Sequence, residues 1–242
     1  MVERLDFSKA GKEHDEYTVR AIKIIVRPLA RLVIRHTNFT PNQVSLLSLI
    51  IGLASIFFLF WGGYLFTLIG AGFSCLYLVF DIIDGQIARV KGLTSKVGAW
   101  LDGVLSFTLI PLMLLATGIG LESYSALLVG SLAALCFPLQ FTFIYYYKAE
   151  IQGHTERLSI PLPGKFQGIR YVYGMIIFFP LLLLSAIFNR TIYTLWFFAV
   201  VGNLFWIMLL LVQFLNLRRE AKKSNASLNS SKSSTDSHLP DK

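Results

Sequence analysis

The sequence predicts an all-α integral membrane protein, with six transmembrane helices preceded by a basic amphipathic interfacial helix. Three observations predict it. Apolar residues make up 55% of the 242 residues and charged ones 15%, and mean hydropathy is +0.61, outside the range of an ordinary soluble domain. Six apolar runs have about the 18-residue length expected of a spanning helix: Val44–Trp61, Tyr64–Ile83, Val97–Leu115, Tyr124–Tyr146, Tyr171–Phe188 and Ile192–Leu215. With the N-terminus placed in the cytoplasm, the inner segments are 1–43, 84–96, 147–170 and 216–242. Of the 22 Lys and Arg residues, all but Arg190 then lie inside, a strong positive-inside pattern.

The elements follow in order. Residues 1–16 are polar and mixed in charge, and they lack the short apolar core of a cleavable signal. Over residues 17–39, Arg20, Lys23, Arg27, Arg31 and Arg35 recur every three or four positions, with Ile22, Ile25, Val26, Leu29, Leu32 and Val33 on other faces. This reads as a single-signed amphipathic helix in the headgroup plane, bent or interrupted at Pro28. The membrane domain, residues 40–217, opens on Thr40-Pro41-Asn42-Gln43: Thr40 can cap, Pro41 suits the first helical position, and Gln43 completes a capping box.

Trp61-Gly62-Gly63 forms a short outer turn and Glu122 marks another. Residues 147–170 make a long inner loop whose glycines and prolines argue against one continuous helix. Residues 218–242 are basic and then Ser-rich, the composition of a disordered tail. The two cysteines, Cys75 and Cys136, fall within spans and are expected to be reduced packing residues. The net charge of +8 reads as membrane orientation and anionic-lipid contact, not nucleic-acid binding. Both termini and the inner loops are therefore expected to be cytoplasmic.

Chemistry concentrates in one stretch. From Val44 to Leu217 the only acids are Asp81, Asp84, Asp102, Glu122, Glu150 and Glu156. The three glutamates lie in apparent loops, whereas the three aspartates lie in or against apolar runs, where a charge is costly and marks function by default. Asp81 and Asp84 share a helical face at i,i+3, and Asp102 opens the next run. Three carboxylates from two helices suit a hard divalent cation.

The segment DIIDGQIARVKGLTSKVGAWLD, Asp81 to Asp102, resembles the signature of the CDP-alcohol phosphatidyltransferase family, D-x2-D-G-x2-A-R-x8-G-x3-D-x3-D. Asp81, Asp84, Gly85, Ala88, Arg89, Gly98 and Asp102 are in register. The resemblance implies transfer of a phosphatidyl group from a CDP-linked alcohol, such as CDP-diacylglycerol, to an acceptor alcohol with release of CMP, in phospholipid biosynthesis. It implies that Asp81, Asp84 and Asp102 ligate Mg²⁺ or Mn²⁺, in one or two ions. Arg89 would meet a phosphate, and Gly85, Ala88 and Gly98 would allow close approach of the nucleotide. A homodimer is also implied, and Gly130, Ala133 and Ala134 are small enough to suit one. Lys96, Arg157, Lys165 and Arg170 could form an anion pocket for a phosphorylated acceptor; plain positive-inside anchoring accounts for them equally well.

One position departs. The last aspartate of the signature, a metal ligand and the proposed general base, is Ser106 here, followed by Phe107 where the family commonly has a basic residue. Serine cannot act as a base near neutral pH unaided, and three carboxylates hold a second dication less well than four. Loss of a general base costs roughly 10²–10⁴-fold. A metal-bound hydroxide, a substrate phosphate or a loop residue such as His154, beside Glu150 and Glu156, could replace it. A second reading is therefore a catalytically impaired partner subunit that binds CDP-lipid. A third, a small ion-coupled transporter, is disfavoured by the G-x2-A-R stretch and by the absence of internal repeats.

Overall fold

The computed structural model describes residues 17–37, 39–147, 149–150 and 175–236, and every regular element among them is helical. Helix α1 is Tyr17–His36, α2 Pro41–Trp61, α3 Tyr64–Val90, α4 Lys96–Gly120 and α5 Tyr124–Tyr147. A 3₁₀ turn, Met175–Ile177, leads into α6, Phe178–Ile187; α7, Thr191–Phe197, then passes through a π-helical stretch, Phe198–Gly202, into α8, Asn203–Asp236.

Among the described residues, five helices are long and apolar enough to cross a membrane: α2, α3, α4, α5 and the continuous Thr191–Arg219. The expected span Tyr171–Phe188 is represented by α6, which has 10 residues and so rises about 15 Å, half the hydrocarbon thickness. Pro180 lies in its first turn, the one place where a missing N–H costs nothing; the residues before Met175 lie outside those described. Among the described residues the structure thus shows a multi-pass bundle with five candidate spans, and the sixth expected span, Tyr171–Phe188, begins in residues outside them.

Two boundaries are corrected. Helix α3 does not stop near Ile83 but runs on to Val90, so Asp81, Asp84 and Arg89 share one continuous helix. It ends at Gly92, whose φ is +66°: Leu93 N–H donates to Ala88 O (2.8 Å) and Gly92 N–H to Arg89 O (3.4 Å), the paired bonds of a Schellman stop. The second correction concerns residues 218–242. The expected disorder does not hold over most of them, because α8 is helical to Asp236. Extending an existing helix adds one hydrogen bond per residue fixed and needs no new nucleus, and Arg218, Arg219, Ala221, Lys222 and Lys223 are good or fair helix formers.

The packing is that of membrane helices. On α2 the buried positions are Val44, Ser48, Gly52, Ser55 and Leu59, while Leu46, Ile50, Leu53, Phe57 and Phe60 are exposed. Small and hydroxylated residues face inward and large apolar ones outward, as expected where lipid is the solvent. Ser55 Oγ donates to Gly70 O of α3 at 2.8 Å. A Cβ on Gly52 would come within 2.8 Å of Leu109 Cδ1 and 3.3 Å of Tyr77 Cδ2, so this glycine lets α2 seat against both α3 and α4. Gly118 and Gly130 bring α4 and α5 into backbone contact, where a Cβ on Gly118 would meet Gly130 Cα at 3.0 Å. Gly130 and Ala133 are thus buried within one chain, and of the three small residues considered for a dimer face only Ala134 is partly exposed.

Helix α1 carries three distinct faces. Val26, Ala30 and Ile34 are buried where α1 packs on α3. Arg27, Arg31 and Arg35 form an exposed strip, and Leu29 and Leu32 are also exposed, at 45% and 56%. Pro28 lies inside the helix. The start of α2 is closed as the sequence predicts: Gln43 N–H donates to Thr40 Oγ1 (3.4 Å) and Thr40 N–H to Gln43 Oε1 (3.0 Å). Lys91 Nζ then ties the end of α3 to this point by donating to Phe39 O at 3.0 Å.

Candidate functional site

The acidic residues gather where the last turns of α3 meet the first turns of α4. Helix α3 has 27 residues and is about 40 Å long, longer than the roughly 30 Å hydrocarbon layer. Its C-terminal end therefore has length to spare beyond the apolar layer. Asp81 is half-buried, Asp84 is buried at 8% exposure, and Asp102 is exposed. The Asp81 and Asp102 carboxyls lie close to each other. Asp84 turns instead toward α2, where Ser45 Oγ donates to its Oδ2 at 2.6 Å.

Arg89 folds back along its own helix. A Cβ on Gly85 would stand 3.2 Å from Arg89 Nη1, so Gly85 leaves the groove in which the guanidinium lies, within electrostatic range of Asp84. Ala88 is half-buried on the same helix. Gly98 has a local role: its N–H donates to Ser95 Oγ at 2.9 Å, capping α4, and a Cβ there would stand 3.1 Å from that oxygen. The spacing of the motif thus reflects helix ends.

Ser106 is half-buried one turn beyond Asp102. Its Oγ lies 3.3 Å from Tyr77 Oη, and Tyr77 is almost fully buried, at 1% exposure. Phe107 points away from the acids, its ring 4.4 Å from that of Phe141 and 6.1 Å from that of Tyr145. With Pro138, Thr142 and Tyr146 these rings line an open groove of about 520 Å³ on the α4–α5 surface.

The predicted site residues thus divide. Asp81, Asp84 and Asp102 lie within electrostatic range of one another, Arg89 lies within range of Asp84, and Gly85, Ala88, Gly98 and Ser106 lie on the same two helices. Lys96 is exposed at the start of α4. His154, Glu156, Arg157, Lys165 and Arg170 lie outside the described residues, and Glu150 is exposed. Sequence reasoning missed Ser45 and Tyr77. Ser45 was accessible to it, because Ser45, Ser48, Gly52 and Ser55 recur at helical spacing in an apolar run, which marks the inward face.

Among the described residues, no group of three or more His, Cys, Asp or Glu side chains is arranged to hold a metal ion. Asp84 is turned toward Ser45 and stays within electrostatic range of Asp81 and Asp102. The donor chemistry nevertheless fits a hard cation: the carboxylates of Asp81, Asp84 and Asp102 and the hydroxyl of Ser45 offer oxygen, which suits Mg²⁺ or Mn²⁺ over softer metals. Two carboxylates held as close as Asp81 and Asp102 repel unless a proton or a cation lies between them.

A family model described as CDP-alcohol phosphatidyltransferase matches residues 38–201. The phosphatidylinositol phosphate synthase of Corynebacterium glutamicum is 38% identical over 86 residues, 33% of this chain and 35% of that protein. The bifunctional IPC transferase and DIPP synthase of Aquifex aeolicus is 36% identical over 68 residues, 28% of this chain and 15% of that protein. The chain therefore aligns with about a third or less of the length of these curated relatives. The crystal structure of Mycobacterium tuberculosis phosphatidylinositol phosphate synthase with CDP-DAG bound superposes with a TM-score of 0.57 over 79% of this chain and 94% of that one, at 18% identity. At that identity the likeness is one of fold.

Proposed function

Because the chain belongs to the CDP-alcohol phosphatidyltransferase family, a family of transferases of phospholipid biosynthesis, we propose that it moves a phosphatidyl group from CDP-diacylglycerol, or a related CDP-alcohol, to an acceptor alcohol and releases CMP. The observation that carries this reading is the convergence of Asp81, Asp84 and Asp102 at the α3–α4 junction of a membrane bundle. In the reaction, the acceptor oxygen bonds to the lipid-side phosphorus and the bond from that phosphorus to the bridging oxygen breaks. CMP leaves with the bridging oxygen and its electron pair, and the acceptor proton passes to a base.

Asp81, Asp84 and Asp102 are the residues that would hold Mg²⁺ or Mn²⁺, which when bound supplies charge neutralisation at the pyrophosphate and the leaving phosphate. Arg89, lying beside Asp84, is placed to receive a phosphate oxygen on its planar donors. Ser106, with its Oγ 3.3 Å from Tyr77 Oη, is no base near neutral pH unaided, so the acceptor proton would go to a substrate phosphate oxygen or to a residue of the 147–170 loop. Purified protein given CDP-diacylglycerol, Mn²⁺ and a panel of free polyols, phosphorylated polyols and amino alcohols is expected to release CMP with at least one of them. The names of two relatives put phosphorylated inositol first on that panel, with Lys96, Arg157, Lys165 and Arg170 as its anion contacts.

The Ser106–Tyr77 contact also favours a second reading, a subunit that binds CDP-lipid without turnover. Saturable CDP-lipid binding with no CMP from any acceptor would establish it and dismiss the first. Homodimerisation remains a proposal by family likeness, with Ala134 the one small residue of the three left partly exposed.

For orientation, we place both termini and the acidic junction on the cytoplasmic side, with α1 in the headgroup layer. Its exposed leucines would face acyl chains while Arg27, Arg31 and Arg35 reach anionic headgroups. Single cysteines test this with a membrane-impermeant maleimide. Arg190→Cys is expected to react in intact cells, and Ser95→Cys and Arg31→Cys only after permeabilisation. Leu32→Cys should stay shielded even then; labelling of positions 31 and 32 at equal rates would put α1 in bulk water.

A further inference from the structure

The start of α2 reaches the acidic junction through one side chain. Ser45 has a single hydroxyl proton and two acceptors near it, Pro41 O at 3.1 Å and Asp84 Oδ2 at 2.6 Å. The shorter contact goes to the carboxylate, the better acceptor, and has the length of an O–H···O⁻ bond. Asp84 is 8% exposed, so bulk water cannot readily take the place of this donor.

Ser45 is itself held on a rigid base. It lies five residues into α2, whose first turn is fixed by the Thr40–Gln43 capping box. The preceding residue, Phe39, is tied by its carbonyl to Lys91 at the end of α3. The two ends that carry Ser45 and Asp84 are thus joined at two points, and Ser48 Oγ, donating to Ser45 O at 2.8 Å, braces the turn between. Among the described residues, Asp84 is the one of the three carboxylates with a hydroxyl donor from another helix, while Asp81 and Asp102 lie close to each other.

We infer that Ser45 is a positioning residue, which fixes the orientation of the Asp84 carboxylate so that it can complete the cation site begun by Asp81 and Asp102. The inference rests on the metal-dependent transfer proposed above and deepens it. Its chemical content is a division of labour on one carboxylate: Oδ2 is engaged by Ser45, and the orientation this imposes decides where the remaining lone pairs point. Partners outside the ligand shell, when removed, typically cost 10–100-fold in metal affinity.

The test uses full-length protein in lipid nanodiscs with Mn²⁺ as the probe, read by the loss of free-ion electron paramagnetic resonance signal. Ser45→Ala is expected to weaken Mn²⁺ binding by about 10-fold or more, and Ser45→Thr, which keeps the hydroxyl, to restore most of it. In the CMP-release assay, Ser45→Ala should raise the Mn²⁺ concentration needed for half-maximal rate by a similar factor while approaching the parental rate at saturation. Asp84→Asn serves as the reference for loss of the ligand itself. If Ser45→Ala lowers the thermal midpoint but leaves the Mn²⁺ midpoint unchanged while Asp84→Asn abolishes binding, Ser45 is structural only and the inference fails alone. If neither the parent protein nor any variant binds Mn²⁺, the inference falls together with the metal reading on which it rests.

Discussion

Asp81→Ala is expected to reduce CMP release by more than about 100-fold, beyond the range for partners that act from outside a ligand shell, without lowering the thermal midpoint of the metal-free protein. The two expectations together are diagnostic. Asp81 is half-buried in α3, and the carboxyls of Asp102 and Asp84 lie near it. A side chain selected for stability would not be placed there: like charges in contact repel, and an acid at membrane depth carries a desolvation cost. Removing it relieves both. A residue whose loss is neutral or favourable for stability and ruinous for turnover is held for chemistry, the usual trade at an active site. Measured by CMP release beside thermal unfolding in detergent, a loss of activity under twofold would remove Asp81 from the site. An equal collapse of stability and activity would make it a structural acid.

Much of this junction was legible in the sequence because its residues are local. Asp81, Asp84, Gly85 and Arg89 lie within nine positions on one helix, and the Thr40–Gln43 cap is a four-residue pattern; both are governed by helical spacing alone. The starts of α1 and α3 and both ends of α2 fall within a few residues of where hydropathy and the caps put them. What spacing could not reveal was partnership across helices. Nothing along the chain joins Ser45 to Asp84, 39 positions away, or Tyr77 to Ser106, 29 positions away; those pairs exist because Gly52 lets α2 close on α3 and α4.

Two glycines of the motif have partners within the chain that spacing does not announce. Gly98 makes room for the Ser95 cap and Gly85 for the Arg89 guanidinium, so the small residues serve the protein's own chain at least as directly as a nucleotide. The end of α3 was misjudged for a related reason. A hydropathy window stops at the first charges, whereas the helix stops where its backbone meets Gly92. The run of α8 to Asp236 shows the same distinction, since composition speaks for disorder and an already formed helix continues through it.

Ser106→Asp is expected to raise turnover, by a factor approaching the roughly 10²–10⁴-fold range of a general base. Position 106 stands one helical turn from Asp102, half-buried, with Tyr77 Oη 3.3 Å from the serine oxygen. A carboxylate there would share the face of Asp102 and receive the Tyr77 hydrogen bond that Ser106 now occupies, so the pocket already holds a donor suited to an acid. Adding a fourth carboxylate also raises the charge available to cations, so Mn²⁺ binding should tighten in the same variant. The metal-free protein should become less stable, because the new charge adds to the repulsion between Asp81 and Asp102; excess Mn²⁺ should reverse that loss. Placing Tyr77→Phe in the Ser106→Asp background should give back part of the gain, since the new carboxylate would lose its oriented donor. Three outcomes separate the readings. Faster CMP release with tighter Mn²⁺ binding means that Ser106 leaves a competent site without its base. Tighter Mn²⁺ binding at unchanged rate means that the acceptor proton already has another destination. A slower reaction means that the Ser106–Tyr77 pair is fitted to its own acceptor, and that the departure at Ser106 is a specificity feature of this chain.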